Sequence, residues 1–228
     1  MKDIVRDLVP PIAWRTMVAM RRKFADLNPS VPSGEQDLNV YWDPRMAEML
    51  ETWGEGNAWN EVQLLLAGRK GRVLDIACGT GRTMTLFANQ PDLELHGCDI
   101  SDMLIDKAIA RGIPKDRLAV GDATAMHYEA GAFDLGYSIG SLEHFTEDGI
   151  VKFLKECARV VSGPTFHMIP ISRSGEDHGW IKTFQSYYNN SPTWWLAKCA
   201  QAYPRSFALP SVWEDDRSKG LWLVCCPQ

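Results

Sequence analysis

Several features are missing from this chain, and each absence removes a class of protein. No apolar run approaches the ~20 residues of a membrane-spanning helix. Its 6 cysteines form no C-x-x-C pair, so neither a structural zinc site nor a dithiol redox motif is expected, and they read as reduced thiols of a cytoplasmic protein. Positive charge is short: 24 Lys and Arg face 29 Asp and Glu, a net charge of -5, which disfavours a general nucleic-acid binder. The N-terminus lacks a signal peptide's unbroken apolar core, because Asp3, Arg6 and Asp7 interrupt it and Pro10-Pro11 would break its helix. No Pro/Gly/Ser-rich linker, internal repeat or low-complexity tract divides the 228 residues, so one large domain is expected.

The charge that is present is uneven. Lys2, Arg6, Arg15, Arg21, Arg22 and Lys23 stand against Asp3 and Asp7, a formal +4 for residues 1–24. Such a segment reads first as a docked helix with a solvated face. It also offers a peripheral membrane contact.

Residues 1–68 read as an N-terminal helical extension or lid packed on the core, with Asp43-Pro44 opening one helix as N-cap and first-turn proline. Residues 69–228 read as a cofactor-binding domain. Strands are expected at Val73–Ala77, Leu93–Cys98, Leu118–Val120, Phe133–Ser138 and Thr165–Ile169. Helices are expected at Thr83–Ala88, Ser101–Ala110 and Glu147–Val161. This alternation is the signature of a parallel sheet covered on both faces. At the end, a helix over Pro192–Tyr203 precedes strands Ser206–Leu209 and Leu221–Cys225. Their connection is too short for a crossover helix, so they pair as an antiparallel hairpin.

The chemistry sits in Val73-Leu74-Asp75-Ile76-Ala77-Cys78-Gly79-Thr80-Gly81-Arg82, a strand, a glycine turn and a helix start. Glycines let backbone approach a ligand, and the start of a helix offers unpaired N–H groups. The third small residue of the dinucleotide fingerprint is replaced by Met84, which disfavours a nicotinamide enzyme. A second acid, Asp99, follows at the end of the second strand, where an acid can hold a ribose diol. Together Asp75, the glycine turn and Asp99 point to an adenosine ligand without a pyrophosphate.

This segment resembles the first motif of class I S-adenosylmethionine-dependent methyltransferases. Gly97-Cys98-Asp99-Ile100-Ser101, Gly121-Asp122-Ala123 and Phe133 to His144 resemble the family's next three motifs, in order, across residues 72–170. The resemblance implies a Rossmann-like α/β fold with a seven-stranded, mostly parallel sheet and an antiparallel last strand. It implies S-adenosylmethionine as cofactor, S-adenosylhomocysteine as product, and no metal. Asp75 would orient the glycine loop and the methionine amino group, with Gly79 and Gly81 admitting the methionine moiety. Asp99 would hold the ribose, Ile100 would pack on adenine, Asp122 would accept from the adenine amino group beside Ala123, and Ser138 would sit at the methionine end. Ala77 stands in this turn where many members have glycine. Tyr41 to Pro44, Glu51 to Gly56 and Ser211 to Asp215 also resemble small methyltransferases of bacterial surface-polysaccharide gene clusters.

His144 is the candidate general base, since an imidazole can take a hydroxyl proton; the bland reading is that it only shapes the pocket. His167, in a presumed strand, reads as a satisfied core histidine. Of 9 tryptophans, Trp53 is a candidate for the cofactor pocket, where an aromatic face suits adenine or a sulfonium. Ile171 to Asn190 reads as a long acceptor-binding insertion, with Arg173, His178, Trp180 and Tyr188 as candidate substrate residues and Tyr187, Asn189 and Asn190 beside them. The expected reaction is methyl transfer to a small-molecule acceptor, a hydroxyl of a sugar or glycan precursor. The alternatives are N-methylation of an amine or protein, or a non-catalytic partner protein that binds the cofactor. A monomer or homodimer is expected.

Overall fold

A computed structural model describes residues 36–227. The basic segment 1–24, and the membrane contact expected of it, lie outside the described residues. Among the described residues two α-helices precede the sheet, α1 (Pro44–Leu50) and α2 (Ala58–Leu66). Asp43 caps α1 by accepting the Arg45 N–H at 2.9 Å, with Pro44 fixing the first helical φ. On α2, Ala58, Trp59, Val62 and Leu66 are buried, the stripe a surface helix turns to its core.

The domain that follows runs β1 (Gly71–Ile76), β2 (Leu93–Asp99), α3 (Asp102–Ala110), β3 (Leu118–Val120), β4 (Leu135–Ile139), α4 (Glu147–Val160) and β5 (Thr165–Ser172). It continues through the short strands β6 (Trp180–Ile181) and β7 (Tyr187–Tyr188), then α5 (Pro192–Cys199), β8 (Arg205–Glu214) and β9 (Ser218–Cys226). Seven strands form one sheet in the order β3-β2-β1-β4-β5-β9-β8. β1 to β5 are parallel, and β9 pairs antiparallel with both its neighbours. The fold is therefore the seven-stranded α/β sheet expected, with the last strand reversed.

The period of two along β1 decides what covers each face. Leu74 and Ile76 join Ile150, Phe153 and Leu154 of α4 and Trp195 of α5. Val73 points the other way, toward Ala58, Val62 and Leu66 of α2 and Ile105 of α3. Each fully buried aliphatic contributes roughly 1.5–3 kcal/mol, so both layers are tied to this one strand. Strand order reverses direction between β1 and β4, which opens a crevice at their C-terminal ends.

The expected helix over Thr83–Ala88 is instead a 3-10 turn, Met84–Phe87. Thr83 stands at its N-cap without capping it, because the hydroxyl donates to Asp75. β8 and β9 are longer than expected. Asp215 Oδ1 accepts from the N–H groups of both Arg217 and Ser218 at 2.8 and 2.7 Å, tightening the turn so that the strands pair up to Glu214 and Lys219. The expected long loop after β5 carries the β6–β7 hairpin.

Candidate functional site

The turn leaving β1 has an unusual backbone. Ala77 has φ +59°, the one non-glycine residue with positive φ among the described residues. Gly79 follows at φ +54°, and a Cβ there would lie 2.8 Å from Leu50 Cδ1. Glycine thus lets α1 close onto the turn. A Cβ on Gly81 would meet Ile113 Cδ1 at 2.3 Å and Ala108 Cβ at 3.0 Å. Its missing side chain serves packing against α3.

Asp99, at the end of β2, crosses to this turn. Its Oδ2 accepts the Gly79 N–H and its Oδ1 the Ser101 N–H, both at 2.9 Å. Burial pushes this carboxyl above the usual range, and the two N–H groups oppose that shift. Asp75 accepts hydroxyl hydrogens from Thr83 at 2.5 Å and Tyr137 at 2.8 Å. Burial pushes its pKa up to about 7.

Three connected lobes lie over these groups. The first, of about 740 Å³ including its mouth, is lined by Asp99, Ile100, Asp122 and Ala123 on the sheet side and by Tyr41 and Leu50 on the other. The second, about 410 Å³, is lined by Asp75, Ala77, Thr83, Trp53 and Arg82, the last its single cation. The third, about 900 Å³, is lined by Glu143, His144, Trp53, Phe184, Tyr187 and Trp213 among others. Leu50 and Ile139 border all three.

Asp75, Ala77, Gly79, Asp99, Ile100, Asp122, Ala123, Trp53 and His144 therefore line neighbouring lobes that share walls at Leu50 and Ile139. Ser138 does not. It is fully buried and bonded to His167 Nδ1 at 2.9 Å. His167 Nε2 lies 3.0 Å from Thr165 Oγ1, whose hydroxyl meets Tyr203. His167 is thus a satisfied core histidine, and burial holds its pKa at about 3.

The four expected substrate residues also face elsewhere. Arg173 pairs with Glu214 at 3.1 Å and donates to the Asp215 carbonyl. His178 is exposed and bonded to Ser174. Trp180 packs edge-on against Tyr188, which packs on Trp194 in the core. The same segment does reach the third lobe, through Thr183, Phe184, Gln185 and Tyr187.

His144 is buried against the 183–187 segment. Its Nδ1 donates to the Ser186 carbonyl at 2.8 Å, which leaves Nε2 with a lone pair. Burial lowers its pKa to about 4, well below the neutral range expected of a free imidazole. Glu143, which carried no role in the sequence reading beyond its place in Leu142-Glu143-His144, lies beside it with Oε1 3.6 Å from Nε2. Burial raises the Glu143 pKa to about 8. Gln185 and Phe184 carried no motif, and Arg82 ended the first motif without an assigned role. Trp213 stood in one of the resembling segments without an assigned role.

The fold is that of class I methyltransferases. Residues 73–163 match the family described as "Methyltransferase domain", a stretch that runs from β1 past α4 and includes both acids, Glu143 and His144. Over 99 residues the chain is 38% identical to ajmaline N-methyltransferase of Rauvolfia serpentina, covering 41% of this chain and 33% of that protein. It is 28% identical over 144 residues to 27-O-demethylrifamycin SV methyltransferase of Amycolatopsis mediterranei, covering 60% of this chain and 51% of that protein. The chain thus spans about a third to a half of the length of these curated relatives. Among solved structures it is similar to a Burkholderia thailandensis 1,6-didemethyltoxoflavin-N1-methyltransferase with bound 1,6-didemethyltoxoflavin and S-adenosylhomocysteine. The TM-score is 0.65 at 17% identity, with 84% of this chain and 85% of that one covered.

Proposed function

We propose that this protein is an S-adenosylmethionine-dependent methyltransferase acting on a small, largely apolar acceptor. The observation that carries this reading is the meeting of three lobes at Leu50 and Ile139. The donor set fits the cofactor. Asp99 is fixed by two backbone N–H groups beside the apolar walls of Ile100 and Leu104, with Asp122 further along the same lobe. Arg82 lines the second lobe with Asp75, a cation and an acid suited to an amino-acid end. S-adenosylmethionine supplies an electrophilic methyl group on a sulfonium.

The chain's own residues would do the rest. Asp99 would bind the ribose, Asp122 the adenine edge, and Asp75 with Arg82 the methionine end. Residues 36–66 would act as a lid, since Tyr41, Met46 and Leu50 wall the cavity from the side opposite the sheet. The apolar third lobe would exclude water and align the acceptor. His144 Nε2 would take the proton that the acceptor's nucleophilic atom releases.

A sugar hydroxyl, the acceptor expected from the polysaccharide-cluster resemblance, loses its supporting residues here. Met46, Met49, Met168, Phe184 and Trp213 in the third lobe suit a flat apolar molecule better than a polyhydroxylated one. The named relatives include an N- and an O-methyltransferase, so N-methylation stands as the second reading. The free cysteines fit a reducing compartment such as the cytoplasm. Calorimetry with S-adenosylhomocysteine tests the core claim: binding is expected, and an intact chain that binds none would overturn it.

A further inference from the structure

The third lobe is electrically one-sided. Its lining includes the carboxyl groups of Glu143 and Asp215 and no lysine or arginine. Two of the cations outside it are engaged elsewhere. Arg45 lies over the Phe184 ring but is held by Asp43, and Arg173 pairs with Glu214.

Within the lobe, Glu143 is 3% exposed, and its Oε2 has no hydrogen-bond partner. Its Oε1 lies 3.6 Å from His144 Nε2, beyond ordinary hydrogen-bond length. A buried carboxyl oxygen left without a donor is destabilising, and the missing donor can come from a ligand. The rings of Trp53, Phe184, Tyr187 and Trp213 line the same space. Aromatic faces attract cations, and more strongly when desolvated.

We infer that Glu143 is the residue that recognises the acceptor, and that the acceptor is a basic amine carried on a planar aromatic ring system. The planar ring lies among the four aromatic side chains, and an N–H of the amine donates to the Glu143 carboxyl group. Phosphorylated or carboxylated molecules of the same size are disfavoured, because they would bring an anion into a lobe lined by two carboxyl groups and no lysine or arginine. This inference rests on reading the third lobe as the acceptor site.

The test uses three naphthalenes of one shape and different charge: 2-naphthylmethylamine, 2-naphthylmethanol and 2-naphthylacetate. Each is titrated calorimetrically into the full chain, with and without saturating S-adenosylhomocysteine. The amine is expected to bind at least about tenfold more tightly than the acetate, with the alcohol between. Glu143→Gln is expected to weaken amine binding by about tenfold, and Glu143→Leu to abolish the preference over the acetate. Both variants should hold S-adenosylhomocysteine as the unaltered chain does, which reports that they are folded. Equal or tighter binding of the acetate, no binding of the amine, or an amine affinity indifferent to Glu143→Gln would overturn the inference. Amine preference in a chain that binds no S-adenosylhomocysteine would overturn the cofactor reading and leave this one standing.

Discussion

Two buried carboxyl groups on either side of Ile139 live under opposite conditions. Asp99 in the first lobe has both oxygens engaged by backbone N–H groups. Glu143 in the third has one oxygen with no partner at all. The first is held in place whether or not a ligand arrives, and the second is completed only by one. A site of this kind keeps its invariant partner on a rigid, satisfied frame and leaves its polar vacancy for the molecule it must choose.

The largest expected effect tests the boundary between lobe and core. Tyr188 lies between Trp180 and Trp194 and is 9% exposed. Tyr188→Ala should cost about 3 kcal/mol of stability, typical of a buried aromatic removed, while Phe184→Ala should raise the acceptor KM with a small change in Tm. If Tyr188→Ala leaves Tm unchanged and raises KM, the hairpin is presented the other way round.

Next comes the satisfied carboxylate. Asp99→Ala removes the proposed ribose contact and orphans the Gly79 N–H, so S-adenosylhomocysteine affinity should fall by about 1–3 kcal/mol. Calorimetry would read this directly; an unchanged Kd would place the nucleoside elsewhere.

A smaller effect of opposite sign is expected at the turn. Ala77 holds φ +59°, which costs an L-residue roughly 1–2 kcal/mol. Ala77→Gly relieves that and loses part of the gain to unfolded-chain entropy. Net stabilisation of about 0.5 kcal/mol, seen as a slightly raised Tm, should follow.

The subtlest prediction concerns pH. Burial lifts the Glu143 pKa from 4.5 to about 8, so the folded state binds the proton more tightly than the unfolded one. Its contribution is full below pH 4.5 and lost as pH rises through about 8. Glu143→Gln should therefore make the fall of Tm between those limits shallower. His144 works in the other direction: its pKa drops from 6.5 to about 4, so stability is lost as pH falls through that window. A Glu143→Gln chain whose Tm tracks the parent's at every pH would mean the carboxyl is ionised in the fold.

The first lobe was legible in the sequence because it is local. β1 and β2 lie side by side in parallel register, Asp75 opposite Gly97 and Ile76 opposite Cys98. An acid at each C-terminal end therefore lands beside the same turn, and the spacing from Gly79 to Asp99 reflects one strand-to-strand crossing. The third lobe gathers Met46, Trp53, Glu143, Phe184 and Trp213 from stretches with no shared period or spacing. Even within the hairpin, one residue of register decides the outcome. Ile181 pairs with Tyr187 and Trp180 with Tyr188, and successive strand residues point to opposite faces. Tyr187 therefore reaches the lobe while Tyr188 enters the core. No composition or motif distinguishes two adjacent tyrosines, and Ser138 was misplaced for the same reason: its partner His167 lies on the neighbouring strand.

The walls shared at Leu50 and Ile139 have a thermodynamic consequence. Two ligands that press on the same side chains cannot bind independently. Whatever factor one applies to the other's affinity must be returned in full, because binding free energies are reciprocal. Leu50, from α1, belongs to a segment that precedes the matched stretch, so part of that coupling is set from outside it. Changing Leu50 is thus a way to alter how strongly donor and acceptor sense each other while leaving the polar groups of each lobe in place.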